Sequence, residues 1–254
     1  MILAIDVGNT NIVMGFIEGT QLVAEYRLST NANETAEEYA IKLNSILEIT
    51  GIDPASLEGS VLATVVPPFT RIMSKAVKLV TAKPPIVVGP GVKTGLNIKT
   101  NNPAELGADM VVGAVAAIAK YPCPLILFDL GTATTASVID KDGCFIGCAI
   151  LCGVQTGLNA LTSGTAQLPQ IEIAAPAKAI CTNTVDCMRS GTVFGTAAMI
   201  DGMVARFEKE LGQKATVIVT GGLGASIARH CETETIVDRD LLIEGLRIVY
   251  EKNK

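Results

Sequence analysis

Two short segments of the chain place an aspartate, a glycine and several hydroxyl or amide side chains directly after an apolar run. They are residues 6–11 (DVGNTN) and residues 129–135 (DLGTATT). The amides and side chains of such turns can donate to phosphate oxygens, and an aspartate there can hold a hydrated Mg²⁺. Gly8 is expected to adopt a backbone conformation closed to other residues and to let a phosphate approach. One segment alone could be an ordinary hairpin, but two predict a phosphate clamp across a cleft.

A third segment, residues 217–222 (VIVTGG), is an apolar run that ends in paired glycines. Glycines at that place would let a flat ring lie against bare backbone. The three segments together predict a site for a nucleoside triphosphate whose γ-phosphate is transferred to a small hydroxylated molecule.

The elements that must position these segments form an internal repeat. Each aspartate-bearing turn follows an apolar run and is followed by a second β-type run, at residues 12–18 and 134–140. A turn with an acidic residue and a glycine then leads to a third run, at 22–29 and 144–151. Each half therefore opens with a three-strand meander, and we expect two domains, residues 1–118 and 119–254.

Helical and strand patterns fill the remainder of both halves. The predicted helices are residues 35–50, 69–82, 103–119, 189–211, 223–230 and 241–250, and further strands are 60–66, 86–88 and 216–219. In the third helix, Asn102 is expected as the N-cap and Pro103 as the first residue. Strands that alternate with helices predict an α/β fold with helices on the sheet faces.

Composition excludes several classes of protein. Of the 254 residues 49% are hydrophobic and 18% charged, which excludes disorder. No apolar run reaches the roughly 18 residues of a membrane span, and Asp6 interrupts the N-terminal run, so we expect neither a membrane protein nor a signal peptide. A net charge of −5 without a basic cluster argues against nucleic acid. The apolar excess predicts a homodimer, with residues 189–211 among the contributors.

The chain has seven cysteines, all from Cys123 onward. They are expected to be reduced thiols in the cytoplasm. Cys144, Cys148 and Cys152 recur every fourth residue, but this spacing matches no zinc pattern. We expect small, metal-free core residues in a strand.

The three site segments resemble the phosphate-1, phosphate-2 and adenosine motifs of the actin, hexokinase and acetate-kinase superfamily, whose fold is a pair of duplicated RNase-H-like domains with a nucleotide cleft between them. Within it, the chain resembles the type III pantothenate kinases from end to end. The matching segments are IDVGNTN (5–11), ATVVPP (63–68), NPAELGAD (102–109), DLGTATT (129–135), ALTSGTAQLP (160–169), SGTVFG (190–195), TGG (220–222) and GLRIVYE (245–251). The resemblance implies ATP-dependent phosphorylation of pantothenate, the first step of coenzyme A biosynthesis, by a homodimer.

The resemblance also implies roles for particular residues. Asp109 would be the general base that takes the proton from the acceptor hydroxyl, Asp6 would serve Mg²⁺, and Asp129 would serve a monovalent cation, K⁺ or NH₄⁺. The residues assigned to ATP are Asp6, Val7, Gly8, Asn9, Thr10, Asn11, Ile12, Val13, Thr132, Gly221 and Gly222. Those assigned to the acceptor are Thr100, Gly107, Ala108, Asp109, Met110 and Thr184.

The sequence departs from the family pattern on the acceptor side. Met110 stands where the family usually has Arg, and Thr100 and Asn101 stand where it has Tyr-Asp. Cys148 and Cys152 replace a glycine and a proline. Because an arginine is a natural clamp for a carboxylate, two alternatives remain open: a pantothenate kinase, which the retained Asp109 favours, or a nucleotide-binding paralogue with another acceptor or a regulatory role.

Overall fold

The computed structural model describes all 254 residues and divides into two compact units. The first unit comprises Met1–Leu96, Asn101–Ala116 and Leu241–Lys254, and the second comprises Asn97–Thr100 and Ala117–Asp240. The units are therefore not the two contiguous halves expected from the sequence, because the C-terminal residues belong to the first unit.

The first unit contains a five-stranded sheet. Its strands are β1 (Ile2–Val7), β2 (Asn11–Glu18), β3 (Gln21–Ser29), β4 (Gly59–Thr64) and β5 (Ile86–Val87). They lie in the order β3-β2-β1-β4-β5, with β1 antiparallel to β2 and parallel to β4. The predicted meander is thus confirmed, and β1 is the central strand.

The second unit contains a six-stranded sheet. Its strands are β6 (Asn97–Ile98), β7 (Leu125–Leu130), β8 (Ala133–Ile139), β9 (Cys144–Cys152), β10 (Thr216–Thr220) and β11 (Ile236–Val237). The order is β11-β10-β7-β8-β9-β6. Apart from β6, the order from β9 to β11 reproduces that from β3 to β5 strand for strand. The sheets therefore confirm the repeat, and β1 corresponds to β7.

Seven α-helices accompany the sheets. They are α1 (Ala36–Thr50), α2 (Pro67–Thr81), α3 (Ala108–Lys120), α4 (Val154–Ser163), α5 (Thr184–Leu211), α6 (Gly224–Ala228) and α7 (Leu241–Glu251). Thr35 and Glu38 form a capping box at the start of α1, and Gly51 ends it in the left-handed conformation. None of the helices combines the length and apolar composition needed to cross a bilayer.

Each unit has its own apolar core. In the first, side chains of β1 and β2 pack with those of α1 and α2, and the Tyr39 and Phe69 rings meet edge to face at 5.5 Å. Helix α7 packs on the same unit, where Ile243 lies over Gly15 and Tyr250 over Gly59. In the second, side chains of β7 and β10 pack with those of α5 and α6. The apolar face of α7 explains why the chain's last residues join the first unit.

The predicted helix over residues 103–119 is wrong in its first part. Residues Pro103–Glu105 form a single 3₁₀ turn, Leu106 is extended, and α3 begins only at Ala108. Asn102 does not cap the helix, because its amide donates to the Glu105 carboxylate at 2.7 Å. The interruption places Asp109 in the first turn of α3.

Two helices begin earlier than expected, and one helix was not expected. Helix α2 begins at Pro67 because proline suits the first helical positions. Helix α5 begins at Thr184, where Asn183 caps it by accepting from the Asp186 N–H at 2.9 Å. Helix α4 was not predicted at all.

The cysteines of β9 lie in a strand as expected, but only Cys144 is a core residue. Cys148 and Cys152 are exposed. A β-bulge interrupts the alternation of β9 between Phe145 and Gly147, so the four-residue spacing does not place Cys144 on the exposed face of the other two. The Asn97 amide contacts the Cys144 sulfur at 3.3 Å. That they are metal-free stays a prediction.

Candidate active site

The first aspartate-bearing turn joins β1 to β2 in the first unit. The Gly8 N–H donates to the Asn11 carbonyl at 2.9 Å and closes the turn. Asn9, Thr10 and Asn11 are exposed residues of this turn. The expectation for Gly8 was wrong, since its φ is not in the left-handed region. Glycine is favoured there because a Cβ would lie 3.3 Å from the Asn11 carbonyl oxygen.

Thr30 holds this turn from the end of β3. Its hydroxyl donates to the Gly8 carbonyl at 2.7 Å, and its N–H donates to the Thr10 carbonyl at 2.9 Å. Two bonds from one residue fix both sides of the turn. Sequence reasoning missed Thr30, and a hydroxyl residue just after the third strand of the meander was the only signal.

The residues that flank this turn divide into two kinds. Asp6, at the end of β1, is paired in register with Val13 on β2 and Ala63 on β4. Val7 and Ile12 have fully buried side chains in the core. Only the backbone groups of Val7 and Ile12 can therefore meet a nucleotide.

Asp109 lies in the same unit as this turn. Its Oδ1 accepts from the Met110 N–H at 2.7 Å in the first turn of α3. Burial raises the pKa of the Asp109 carboxyl above its usual range, and the N–H groups of Met110 and Asp109 offset this only in part. Gly107 makes room for the carboxylate, because a Cβ there would lie 2.5 Å from Oδ1.

Val65 connects the Asp109 loop to the strand that carries Asp6. The Val65 N–H donates to the Val7 carbonyl at 3.2 Å. Its side chain lies 3.6 Å from the place that a Cβ on Gly107 would take. The loop of the expected base is therefore adjacent to the end of β1. Met110 next to it is only 8% exposed and directs no polar group outward.

In the second unit, the second aspartate-bearing turn lies against the paired glycines. Strands β7 and β10 are parallel neighbours, with Asp129 opposite Thr220. Gly221 has a φ of +88°. A Cβ on Gly221 would lie 2.5 Å from Asp129 Oδ1 and 2.7 Å from the Leu130 nitrogen. The structure thus brings together two segments that lie far apart in sequence, and only glycine allows their approach.

The start of α4 supports the same turn. A Cβ on Gly153 would overlap the Thr132 carbonyl oxygen and lie 2.5 Å from that of Gly131. The Thr156 hydroxyl donates to the Thr132 carbonyl at 2.7 Å. Sequence reasoning did not assign either supporting residue, because α4 itself was not recognised.

A cavity of about 820 Å³ lies within the second unit, between α4, α5 and the segment that precedes α5. Thr184, one of the expected acceptor contacts, lines it. None of its lining residues is charged; they are Cys152, Gly153, Val154, Gly157, Leu158, Leu161, Leu168, Cys181, Thr182, Asn183, Thr184, Cys187, Met188, Gly191, Thr192 and Thr196. Thr100, also in this unit, has a buried hydroxyl without a hydrogen-bond partner.

The side chains that could coordinate a metal ion decide which of the expected cations the structure fits. No group of three histidine, cysteine, aspartate or glutamate side chains could hold a metal ion. Mg²⁺ in phosphoryl-transfer sites is usually held by one or two carboxylates together with substrate phosphates and water. Asp6, a single aspartate at the end of β1, fits that kind of binding.

A family model described as type III pantothenate kinase matches residues 2–206. The chain belongs to the type III pantothenate kinase family. Two members of this family that it resembles are from Exiguobacterium sp. (strain ATCC BAA-1283 / AT1b), with 46% identity over 254 residues, and from Moorella thermoacetica, with 41% over 253 residues. In both cases all of this chain and all of the relative are covered.

Solved structures show that this type III pantothenate kinase family member has an actin-like ATPase fold. The activator of the 2-hydroxyisocaproyl-CoA dehydratase from Clostridium difficile with bound ADPNP is 14% identical, with a TM-score of 0.55 over 98% of this chain and 94% of that one. MreB 5 of Spiroplasma citri bound to AMPPNP is 11% identical, with a TM-score of 0.58 over 98% and 96%. The predictions of family and fold class are confirmed.

Proposed function

We propose that this chain transfers the γ-phosphate of ATP to the hydroxyl of pantothenate and so begins coenzyme A biosynthesis. The observation that carries the proposal is the placement of Asp109. This carboxylate is partly buried and lies beside the end of β1, in the unit that also contains the first aspartate-bearing turn. The full-length relatives, named type III pantothenate kinase, favour this function over a non-catalytic paralogue.

Asp109 is proposed as the general base. Phosphoryl transfer depends on positioning and charge stabilisation more than on a strong base. The Met110 N–H fixes one carboxylate oxygen, which leaves the other to accept the proton of the acceptor hydroxyl. Because burial raises the pKa of Asp109, its carboxylate holds a proton more readily than an exposed aspartate does.

The two turns are proposed to bind the triphosphate. Asn9, Thr10 and Asn11 of the first turn and Thr132 of the second are exposed residues with hydrogen-bonding side chains, and we assign them to phosphate oxygens. Asp6 would hold Mg²⁺, and Asp129 a monovalent cation. Mg²⁺ bound with ATP would neutralise charge that develops on the phosphates. The glycines of residues 221–222 would lie under the adenine ring.

The cavity in the second unit is proposed to take part of the acceptor. Thr184 on its wall would supply a polar contact. Thr100 does not line the cavity, and the burial of its hydroxyl gives no support for a contact with the acceptor. Gly107 and Ala108 would contact the acceptor beside the base. The Met110 side chain is buried, and this burial does not support a direct contact between it and the acceptor.

A homodimer through β9 is proposed from a contrast between the two copies of the repeat. The exposed face of β3 includes Glu25 and Arg27, whereas the corresponding face of β9 consists of Ile146, Cys148, Ile150 and Cys152. Ile150 is 71% exposed. An apolar exposed strand face of this kind is typical of an interface, and a second copy of this chain is the occupant that we propose.

A coupled assay of ATP consumption with pantothenate, Mg²⁺ and K⁺ tests the proposed reaction. We expect turnover by the native chain, no turnover by Asp109→Asn, and native turnover by Asp142→Asn, an exposed aspartate in the β8–β9 turn. ATP binding should survive in all three proteins. Absence of pantothenate-dependent ATP consumption by the native chain, or full activity of Asp109→Asn, would contradict the proposal.

A further inference from the structure

Two cysteines lie side by side at the start of α5. The Cys187 thiol donates to the Cys181 carbonyl at 3.4 Å. The Cys181 thiol donates to the Lys178 carbonyl at 3.1 Å, and the Ser190 hydroxyl donates to the Ala179 carbonyl at 2.6 Å. Cys187 and Ser190 are three apart on a helix and so share one face. The segment that precedes α5 therefore folds back and lays Cys181 over that face.

The covalent geometry shows how close the two residues are. A carbonyl oxygen lies about 2.4 Å from its own Cα, so the Cys187 sulfur lies within roughly 6 Å of the Cys181 Cα. A disulfide requires the two Cα atoms to lie about 4.4–6.8 Å apart, and the contact of the Cys187 sulfur with the Cys181 backbone brings the two residues near that range. Cys181 belongs to a segment without helix or strand, so small changes of backbone there, with side-chain rotation, suffice to bring the sulfurs together.

We propose that Cys181 and Cys187 form a thiol–disulfide site that reacts with low-molecular-weight disulfides such as glutathione disulfide. The Cys187 thiolate attacks one sulfur of that disulfide, and one glutathione leaves as the thiol after taking up a proton. The Cys181 thiolate then attacks the Cys187 sulfur of the mixed disulfide and releases the second glutathione. Two protein thiols are oxidised, and one disulfide is reduced to two thiols.

The surroundings of the two thiols set this order. Cys187 is exposed and reachable by a small molecule. Burial, followed by the nearby Asp186 carboxylate, raises the pKa of Cys181. A raised pKa lowers the thiolate fraction, so Cys181 acts second, when the mixed disulfide already lies beside it.

The position of the pair gives the bond a consequence for the cavity. Cys181, Thr184 and Cys187 all line it. A bond between the cysteines would close the chain around the first turn of α5, which carries Thr184. Oxidation of the pair should raise the KM for pantothenate several-fold and leave the Kd for ATP unchanged. This effect on KM rests on the proposed function, whereas formation of the bond does not.

Mass spectrometry of a tryptic peptide tests the bond. Cleavage after Lys178 and Arg189 yields one peptide, residues 179–189, that contains both cysteines. After treatment of the folded protein with glutathione disulfide, we expect this peptide to lose the mass of two hydrogen atoms and to regain it with dithiothreitol. In Cys181→Ser, the peptide should instead retain one glutathione on Cys187.

Cys231→Ser is the matched control and should behave as the native chain, because burial raises the pKa of Cys231 to about 11. A native peptide that keeps glutathione, stays reduced, or is linked to another peptide would overturn the proposal. The bond is measured without any activity assay, so an inactive protein would contradict only the proposed function. A bond that forms without a change in the KM of an active enzyme would overturn the proposed consequence.

Discussion

Gly153→Ala tests whether the start of α4 supports the second aspartate-bearing turn, which we propose to bind phosphate. Gly153 has φ −65° and ψ 149°, a conformation open to any residue, so alanine adds no backbone strain. The new methyl group would overlap the Thr132 carbonyl oxygen and lie 2.5 Å from that of Gly131, whereas ordinary contacts begin at 3.4 Å. Both obstacles are backbone atoms. The turn and the helix must therefore separate by about 0.9 Å or more.

The size of this displacement sets the expected effect. Overpacking of this kind costs about 1–3 kcal/mol of stability. A displacement of about 1 Å at a reacting centre can lower the rate about 100-fold. We therefore expect Gly153→Ala to lower the Tm, weaken ATP binding and reduce kcat/KM by up to about 100-fold.

Gly157→Ala on the same helix is the control. A methyl group there meets only the Cys152 sulfur at 3.5 Å, and alanine in a helix interior is favoured by up to about 1 kcal/mol. Calorimetric titration with ATP and thermal unfolding should be compared for both variants. Initial rates should be compared for Gly153→Ala and the native chain, because Gly157 lines the cavity proposed for the acceptor. Native ATP affinity, Tm and kcat/KM in Gly153→Ala would refute the reasoning, because the turn would then not depend on that contact.

Three other changes have defined outcomes. Asp109→Asn should abolish turnover but raise the Tm at neutral pH, because a raised pKa means that ionisation of Asp109 destabilises the fold. The gain in Tm should vanish at a pH below the pKa that Asp109 has in the unfolded chain. The acid limb of the native pH profile of kcat/KM should lie above the usual pKa range of aspartate. Thr30→Val should raise the KM for ATP about 3–10-fold through loss of one hydrogen bond, whereas Thr30→Ser should keep the native KM. Equal KM values for the two variants would exclude a positioning role for the Thr30 hydroxyl. Ile150→Lys should yield monomers in light scattering where the native chain yields dimers, and a native monomer would contradict the proposed interface.

Several features of this protein followed from the sequence alone because they depend on local chemistry. The meanders were visible from apolar runs separated by acidic residue–glycine turns, and β9 and α1 lie within a residue of their predicted ranges. The turns after β1 and β7 were recognised because their aspartate, glycine and hydroxyl residues are contiguous. End-to-end motif coverage predicted the family, which the comparison confirmed.

Other features were decided only by tertiary packing. Thr30 holds a turn that lies some twenty residues earlier in the chain, and Gly153 and Thr156 support another formed by residues 131 and 132. Helix α7 joins the first unit because its apolar face packs there. Met110 is buried although its neighbour Asp109 is the proposed general base. These contacts depend on which surfaces meet after folding, and residue type and local spacing do not encode that.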